Sequence, residues 1–458
     1  MASVSVSRSR HRVNMTEGGI LRHIILFSIP LILGNLFQFM YNMVDTWVVG
    51  NFVSDEAFSA VGSLGTVTNL IINFFSGFSS GTGVIIAQQF GAGKHDDMKR
   101  SAHTAATLTL GLCVVFTVLS LSLISPIMSI LKMPEDVAPH AVSYLTIWFS
   151  GISFLMIYNM GAAMMRAIGD SRRPFIFLVV CAVLNTVLDL LFVLVFDMDV
   201  KGVALATVIA QAVSGALIVI ALLKTDTPIR IRVRDLRFDF GIFKKIFRLA
   251  MPAAFQGTLI SFSNLFVHSY VNYFGKGCMG GYTAYNKIDQ VILLPVQSIA
   301  AATTTFVGQN LGKGQLKRAE RAVRISILIS FGITLVLMTP VMLLTEHFVR
   351  FFNDDAEIVK YGVQIIRLLT PFYVVVCVSQ VFGGALRGAG VSTLHMFSSL
   401  CSLVAVRQIY LFIVTRYVAN TFLLVLAGFP LGWILNSLII FSYYKIKGLR
   451  VYEKKKLI

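Results

Sequence analysis

The chain has 458 residues, of which 56% are hydrophobic and only 13% charged. Soluble domains carry about 25% charged residues, so the composition excludes a soluble protein with one anchor and points to a polytopic membrane protein. The net charge of +17 would suit a nucleic-acid partner, but its distribution along the chain assigns it to membrane topology instead.

The N-terminal stretch "MASVSVSRSRHRVN" is basic, and the apolar run after it is too long for a signal-peptide core. It lacks a small-residue cleavage site, so residues 1–23 read as a retained cytoplasmic tail. Apolar runs long enough to span a bilayer follow near 24–49, 57–88, 102–125, 141–163, 174–196 and 202–223. A polar stretch at 224–248 interrupts them. Six more runs lie near 246–272, 283–307, 322–345, 361–385, 394–416 and 421–444, before a basic tail at 445–458. The chain therefore reads as an all-α protein of twelve transmembrane helices. An N-lobe (24–223) and a C-lobe (249–444) flank a cytoplasmic linker.

Lysine and arginine set the orientation. With the N-terminus inside, the inner loops hold Lys94, Lys99, Arg100, Arg166, Arg172, Arg173, the block from Lys224 to Arg248, and Lys313, Lys317, Arg318, Arg321 and Arg324. The outer loops hold Lys132, Lys201, Lys276, Arg350, Lys360 and Arg416, and carry acids such as Asp55, Glu135 and Asp354. Both termini are expected in the cytoplasm of a cell-membrane protein. The basic excess serves topology and attraction to anionic lipid, not nucleic acid. The five cysteines are scattered without CxxC spacing, which supports neither a disulfide framework nor zinc. No HExxH, GxSxG or P-loop appears, so an intramembrane enzyme is not expected.

The two halves share a plan. "QQFGAGKHDDMKRSA" (88–102) parallels "QNLGKGQLKRAERA" (309–322), and "MRAIGDS" (165–171) parallels "LRGAGVS" (386–392), both at an offset of 221 residues. "SIPLILGN" and "AMPAAFQG" align at Pro30 and Pro252. Six spans per half is even, so the halves have the same orientation, a plan used by secondary transporters. Gly91, Gly93, Gly312 and Gly314 are placed to end helices with positive φ. The "SGFSSGTG" run (76–83) permits close helix approach.

One apolar run, "LNTVLDLLFV" (184–193), contains Asn185 and Asp189 on one helical face. A carboxylate near the centre of a membrane helix costs roughly 2.5–3.5 kcal/mol. With Pro30 and Asp45 in the first helix, the two inner-loop motifs, and Thr207 in "GVALAT", the chain resembles the multidrug and toxic compound extrusion (MATE) family. The likeness covers nearly the whole chain. It implies a V-shaped cleft between two six-helix bundles and efflux of organic cations or amphipathic drugs in exchange for Na⁺ or H⁺. It further implies an N-lobe cation site at Asp45, Asn185, Asp189 and Thr207, and bending of the first helix at Pro30. A passive packing kink is the alternative role for that proline.

Depth counting agrees with the resemblance. At 1.5 Å per residue, Asp45, Asp189 and Thr207 all fall roughly 8–12 Å below the outer surface. Their oxygens suit a hard cation such as Na⁺. They also suit a proton, because two close carboxylates in a low-dielectric setting resist ionising together. The simpler alternative is a set of polar residues hydrogen-bonded within the bundle. No cofactor is expected beyond the coupling ion.

The C-lobe differs. The repeat sets Val267 opposite Asp45, with His268 beside it, and Tyr410 opposite Asp189. The seventh helix, "GTLISFSNLFVHSYV", has no acid. Lys287 and Asp289 belong either to the cleft or to an internal ion pair, with a solvated position for Asp289 as a third choice. Arg407, deep in the eleventh helix, is expected to pair with a carboxylate or backbone carbonyls. Phe37, Tyr41, Tyr144 and Phe262 offer aromatic surface to a flat cation, with packing as the alternative. Substrate-cleft candidates are these four with His268, Asp289 and Arg407. A monomer is expected. The competing function is a lipid-linked saccharide flippase of the same superfamily, which needs a basic cleft.

Overall fold

The computed structural model describes residues 13–131 and 133–452. Residues 1–12 of the N-terminal tail, Lys132, and residues 453–458 of the C-terminal tail lie outside the described residues. All regular structure among the described residues is helical.

The first half runs through α1 (Ile20–Phe52), α2 (Asp55–Gly91), α3 (His95–Ser122), α4 (Ile124–Leu131), α5 (Ala138–Ser150), α6 (Ile152–Ala167), α7 (Arg172–Leu190) and α8 (Asp199–Lys224). Ser54 caps α2, its side chain accepting from the Ala57 N–H. α1 runs unbroken through Pro30. α5 and α6 meet at Gly151 with a bend of 44°. α7 passes into a π-helical turn at Leu191–Val195.

The second half runs through α9 (Phe240–Asn272), α10 (Lys276–Gly312), α11 (Leu316–Leu343), α12 (Thr345–Arg350), α13 (Ala356–Leu369), α14 (Tyr373–Gly388), α15 (Ser392–Ser399), α16 (Arg407–Ile413) and α17 (Phe422–Lys447). A π-helical segment, Leu400–Val406, joins α15 to α16, and a second, Val414–Val418, ends α16. Among the described residues, ten helices are long and apolar enough to cross a membrane, eleven with α5 and α6 as one bent span. The remaining predicted span, 246–272, falls in α9, a helix of 33 residues. Its run of Gln256, Ser261, Ser263, Asn264 and His268 lowers its hydropathy without shortening it.

By contacts, residues up to Gly65 with Ile85–Lys244 form one compact unit, and Thr66–Val84 with Lys245 onward form another. In the first unit α7 packs against α1 and α8, and α6 against α3 and α8. In the second, α10 packs against α11, α13 and α14, and α14 against α17. There too, the middle of α2 meets α9 at almost no clearance. A Cβ on Gly77 would lie 2.5 Å from the Ala253 carbonyl oxygen, and one on Gly81 would lie 2.4 Å from Ala250 Cα. The small residues of "SGFSSGTG" therefore serve close packing.

The polar stretch after α8 is tied down along α3, within the first unit. Lys99 pairs with Asp235 at 2.8 Å and Arg100 with Asp239 at 2.6 Å. The Arg232 N–H donates to His103 Nε2 at 3.2 Å. Asp239 Oδ1 accepts from the Ile242 N–H at 3.0 Å, filling one of the unmet donors at the start of α9.

The repeat is visible in single hydrogen bonds. After α2, the Lys94 N–H donates to Gln89 O at 3.0 Å and the Gly93 N–H to Phe90 O at 3.1 Å. After α10, Gln315 donates to Asn310 O at 2.8 Å and Gly314 to Leu311 O at 3.0 Å. This is the helix-ending pattern that puts one residue in the left-handed region. Gly93 and Gly314 take that role with φ of 67° and 77°. Gly91 and Gly312 do not, because they are the last residues of their helices. Gly169 and Gly390 repeat the pattern after α6 and α14, with φ of 86° and 79°.

Candidate functional site

In the first unit, α1 supplies Asp45, α7 supplies Asn185 and Asp189, and α8 supplies Thr207. Asp189 is 0% exposed, Asn185 1% and Thr207 6%. The Asp45 and Asp189 carboxyl groups lie within hydrogen-bonding range of each other. Neither forms a salt bridge among the described residues. Yet Asp45 Oδ1 and both Asp189 oxygens are buried without a donor. The two observations fit together: facing carboxylates have no hydrogen to share unless one is protonated or a cation stands between them.

Asn185 and Thr207 are joined directly. Asn185 Nδ2 donates to Thr207 Oγ1 at 3.4 Å, and that hydroxyl donates to its own helix at Val203 O, at 3.0 Å. With its amide nitrogen turned to Thr207, Asn185 keeps Oδ1 buried and undonated. One helical turn along the same face stands Asp189. The unit thus concentrates buried acceptor oxygens, the donor set of a proton or hard-cation site.

Valines form the wall. Val48, Val49, Val193, Val200 and Val203 make one buried cluster, with Tyr144 packed against it. Tyr144 lies within electrostatic reach of both Asp45 and Asp189, and Tyr41 of Asp45. Phe37 packs on Phe175 of α7, ring centroids 6.3 Å apart. Tyr41 and Tyr144 therefore border the acid pair, while Phe37 is engaged in helix packing. Among the described residues no group of three or more His, Cys, Asp or Glu is arranged to hold a metal.

The second unit is different in sign. Arg407, 3% exposed, does not pair with a carboxylate or with backbone carbonyls, as its sequence context suggests. Its Nη2 donates to Ser263 Oγ and to Asn264 Oδ1, both at 2.8 Å, and its guanidinium lies 5.4 Å from the Phe429 ring centroid. The polar face of α9 intercepts it. Asp289 is not paired with Lys287, two residues away and off its face. It accepts from the Tyr285 hydroxyl at 3.3 Å and lies within hydrogen-bonding range of Tyr373. Tyr285, one turn before Asp289, was readable from spacing; Tyr373, on α14, carried no such signal. His268 sits edge-on to Tyr282 at 4.9 Å, and Phe262 edge-on to Phe266 at 5.1 Å. Tyr410 donates to Leu424 O at 3.0 Å, a bond that ties α16 to α17.

The family model "MatE" matches the chain twice, over residues 30–191 and 252–413. The chain belongs to the MATE family of transporters. It is similar to the probable multidrug resistance protein YpnP of Bacillus subtilis, 27% identical over 96% of this chain and 99% of that protein. A second B. subtilis relative, the probable multidrug resistance protein YoeA, is 26% identical over 95% of each chain. An outward-facing multidrug resistance MATE transporter of solved structure superposes with a TM-score of 0.90 at 24% identity, covering 98% of this chain and 99% of that one. The MATE fold explains the twelve predicted spans and the doubled plan, and its members are multi-pass membrane transporters, not enzymes.

Proposed function

We propose that this MATE transporter exports organic cations or amphipathic drugs by alternating access, in exchange for inward Na⁺ or H⁺ bound at Asp45, Asn185, Asp189 and Thr207. The observation that carries the reading is the convergence of Asp45 and Asp189 in a buried setting that supplies acceptor oxygens and no basic partner. Two adjacent carboxylates in low dielectric favour neutralisation. A proton or Na⁺ supplies it, and so does an organic cation, so the two compete for one charge. Loading the pair with the coupling ion weakens its hold on a cationic drug, and unloading restores it. Pro30 removes one backbone bond from α1, which lets the segment carrying Asp45 bend as the pair changes partner. The names of the Bacillus relatives support drugs as cargo. The protein acts as a monomer in the cell membrane, with both termini in the cytoplasm and no cofactor beyond the coupling ion.

The test is uptake of a fluorescent organic cation into proteoliposomes under an imposed Na⁺ gradient and, separately, a proton gradient. Wild type responds to one of the two, which names the ion. Asp189→Asn lowers that response at least about tenfold. Gradient-driven uptake at the wild-type level in Asp189→Asn contradicts the reading.

A further inference from the structure

Arg407 is a buried cation whose surroundings leave its charge unbalanced. A guanidinium has five donors and no acceptor. Nη2 is used by Ser263 and Asn264, both neutral oxygens, while Nε is buried with no partner. Ser263 accepts from Arg407 while its hydroxyl donates to Leu403 O at 3.1 Å, but it is neutral and supplies no counter-charge. Gln408 adds further donors rather than acceptors, its Nε2 lying 3.0 Å from both Ser263 O and Ser263 Oγ. No salt bridge reaches Arg407 among the described residues. A buried charge without a counter-charge is strongly unfavourable, and helix packing alone gives no reason to retain one.

The position is specific as well as the chemistry. Arg407 is the first residue after the π-helical segment Leu400–Val406, and such segments are frequent at functional sites. One lobe thus gathers buried acceptor oxygens, and the other holds a buried donor.

We propose that the Arg407 cluster is a binding site for an oxyanion, a carboxylate or phosphate group carried by the transported molecule. The cargo class then includes zwitterions and organic acids besides simple cations. A guanidinium holds an oxyanion by its charge and by directed N–H donors. Ser263 and Asn264 take both hydrogens of Nη2, Phe429 covers the guanidinium face, and the unpartnered Nε–H is the donor left for an anion oxygen. This deepens, and rests on, the transport reading above.

The experiment compares two dyes of one skeleton, rhodamine B, which bears a carboxylate, and rhodamine B ethyl ester, which does not. Binding to the purified full-length protein is followed by fluorescence anisotropy. Wild type is expected to bind the free acid about tenfold more tightly than the ester. Arg407→Gln should remove that preference while leaving ester affinity near wild type and the melting temperature at or above it. Arg407→Lys, which keeps the charge and loses the fork, should retain part of it. Equal affinities in wild type, or an equal loss for both dyes in a folded Arg407→Gln protein, overturns the anion site. If Arg407→Gln does not fold, the wild-type acid-to-ester ratio and Arg407→Lys decide the matter alone. Cation transport that persists without a free-acid preference overturns this site only; a free-acid preference without gradient-driven transport supports the site and overturns the coupling.

Discussion

Asp45 on α1 and Asp189 on α7 bring their carboxyl groups within hydrogen-bonding range of each other, with no basic side chain paired to either among the described residues. Their mutual repulsion is a cost the fold carries. Removing one of the two charges should therefore stabilise the empty protein even as it disables transport. Asp189→Asn is expected to raise the melting temperature in detergent at neutral pH, by on the order of 1 kcal/mol of stability. A lowered melting temperature would show that the pair is held by interactions other than those described.

Asp289 has the opposite circumstances, because tyrosine hydroxyls from two helices converge on it. Tyr373 is 0% exposed, so Tyr373→Phe leaves a buried carboxyl short of a donor without creating a void. The expected loss is about 1–3 kcal/mol, read as a lowered melting temperature. Gradient-driven transport per folded molecule should be little changed, since Asp289 lies in the other unit from the acid pair.

The contact between α2 and α9 leaves no room for a side chain. Gly81→Ala places a methyl 2.4 Å from Ala250 Cα, and backbone cannot step aside as a flexible side chain can. The substitution should cost about 1–3 kcal/mol, visible as reduced yield of folded protein and a lower melting temperature. Gly111, inside α3, whose Cβ would meet nothing within 4 Å, is the control, and Gly111→Ala should be neutral to stabilising, by at most about 1 kcal/mol.

The linker strap has a definite pH dependence. Asp239 is held below the usual carboxylate range first by the Ile242 N–H and then by the Arg100 guanidinium, and Asp235 by its hydrogen bond from Lys99. A carboxyl whose folded value is depressed contributes its stability above the unfolded value and loses it as pH falls through the folded one. The strap should hold at neutral pH and release below about pH 4. Limited proteolysis with an acid-active protease should show cleavage within 230–240 rising only in that range. Asp239→Asn should bring tryptic cleavage after Arg234 or Arg237 at neutral pH.

Much of the candidate site was legible because the membrane makes polar residues expensive. Asp189 and Asn185 stand out in "LNTVLDLLFV", and their spacing of four fixes a shared face. Counting residues from the ends of three helices gave Asp45, Asp189 and Thr207 one expected depth. The paired glycines of the inner turns were legible too, though not which of each pair turns left-handed. That depends on where the last helical hydrogen bond closes, which composition does not reveal. The π-helical segment before Arg407 was hidden for a different reason. Leu400–Val406 continues the apolar run of α15 and α16, so nothing in its composition marks the change from α to π hydrogen bonding. The same blindness concealed the bend at Gly151 and the tyrosine partner of Asp289 on α14. Sequence periodicity reports the face a residue takes on its own helix. It does not report which neighbour that face meets.

The most direct test of the account is release of the coupling ion when substrate binds. Purified protein in weakly buffered solution, or preloaded with radioactive Na⁺, is titrated with a fluorescent organic cation while free protons or Na⁺ are measured. Competition at one acid pair predicts about one ion displaced per substrate bound, with reciprocal weakening of substrate binding by that ion. Asp45→Asn and Asp189→Asn should each abolish the displacement. Substrate binding by wild type without release of either ion would contradict the claim that the Asp45–Asp189 pair trades one cation for the other.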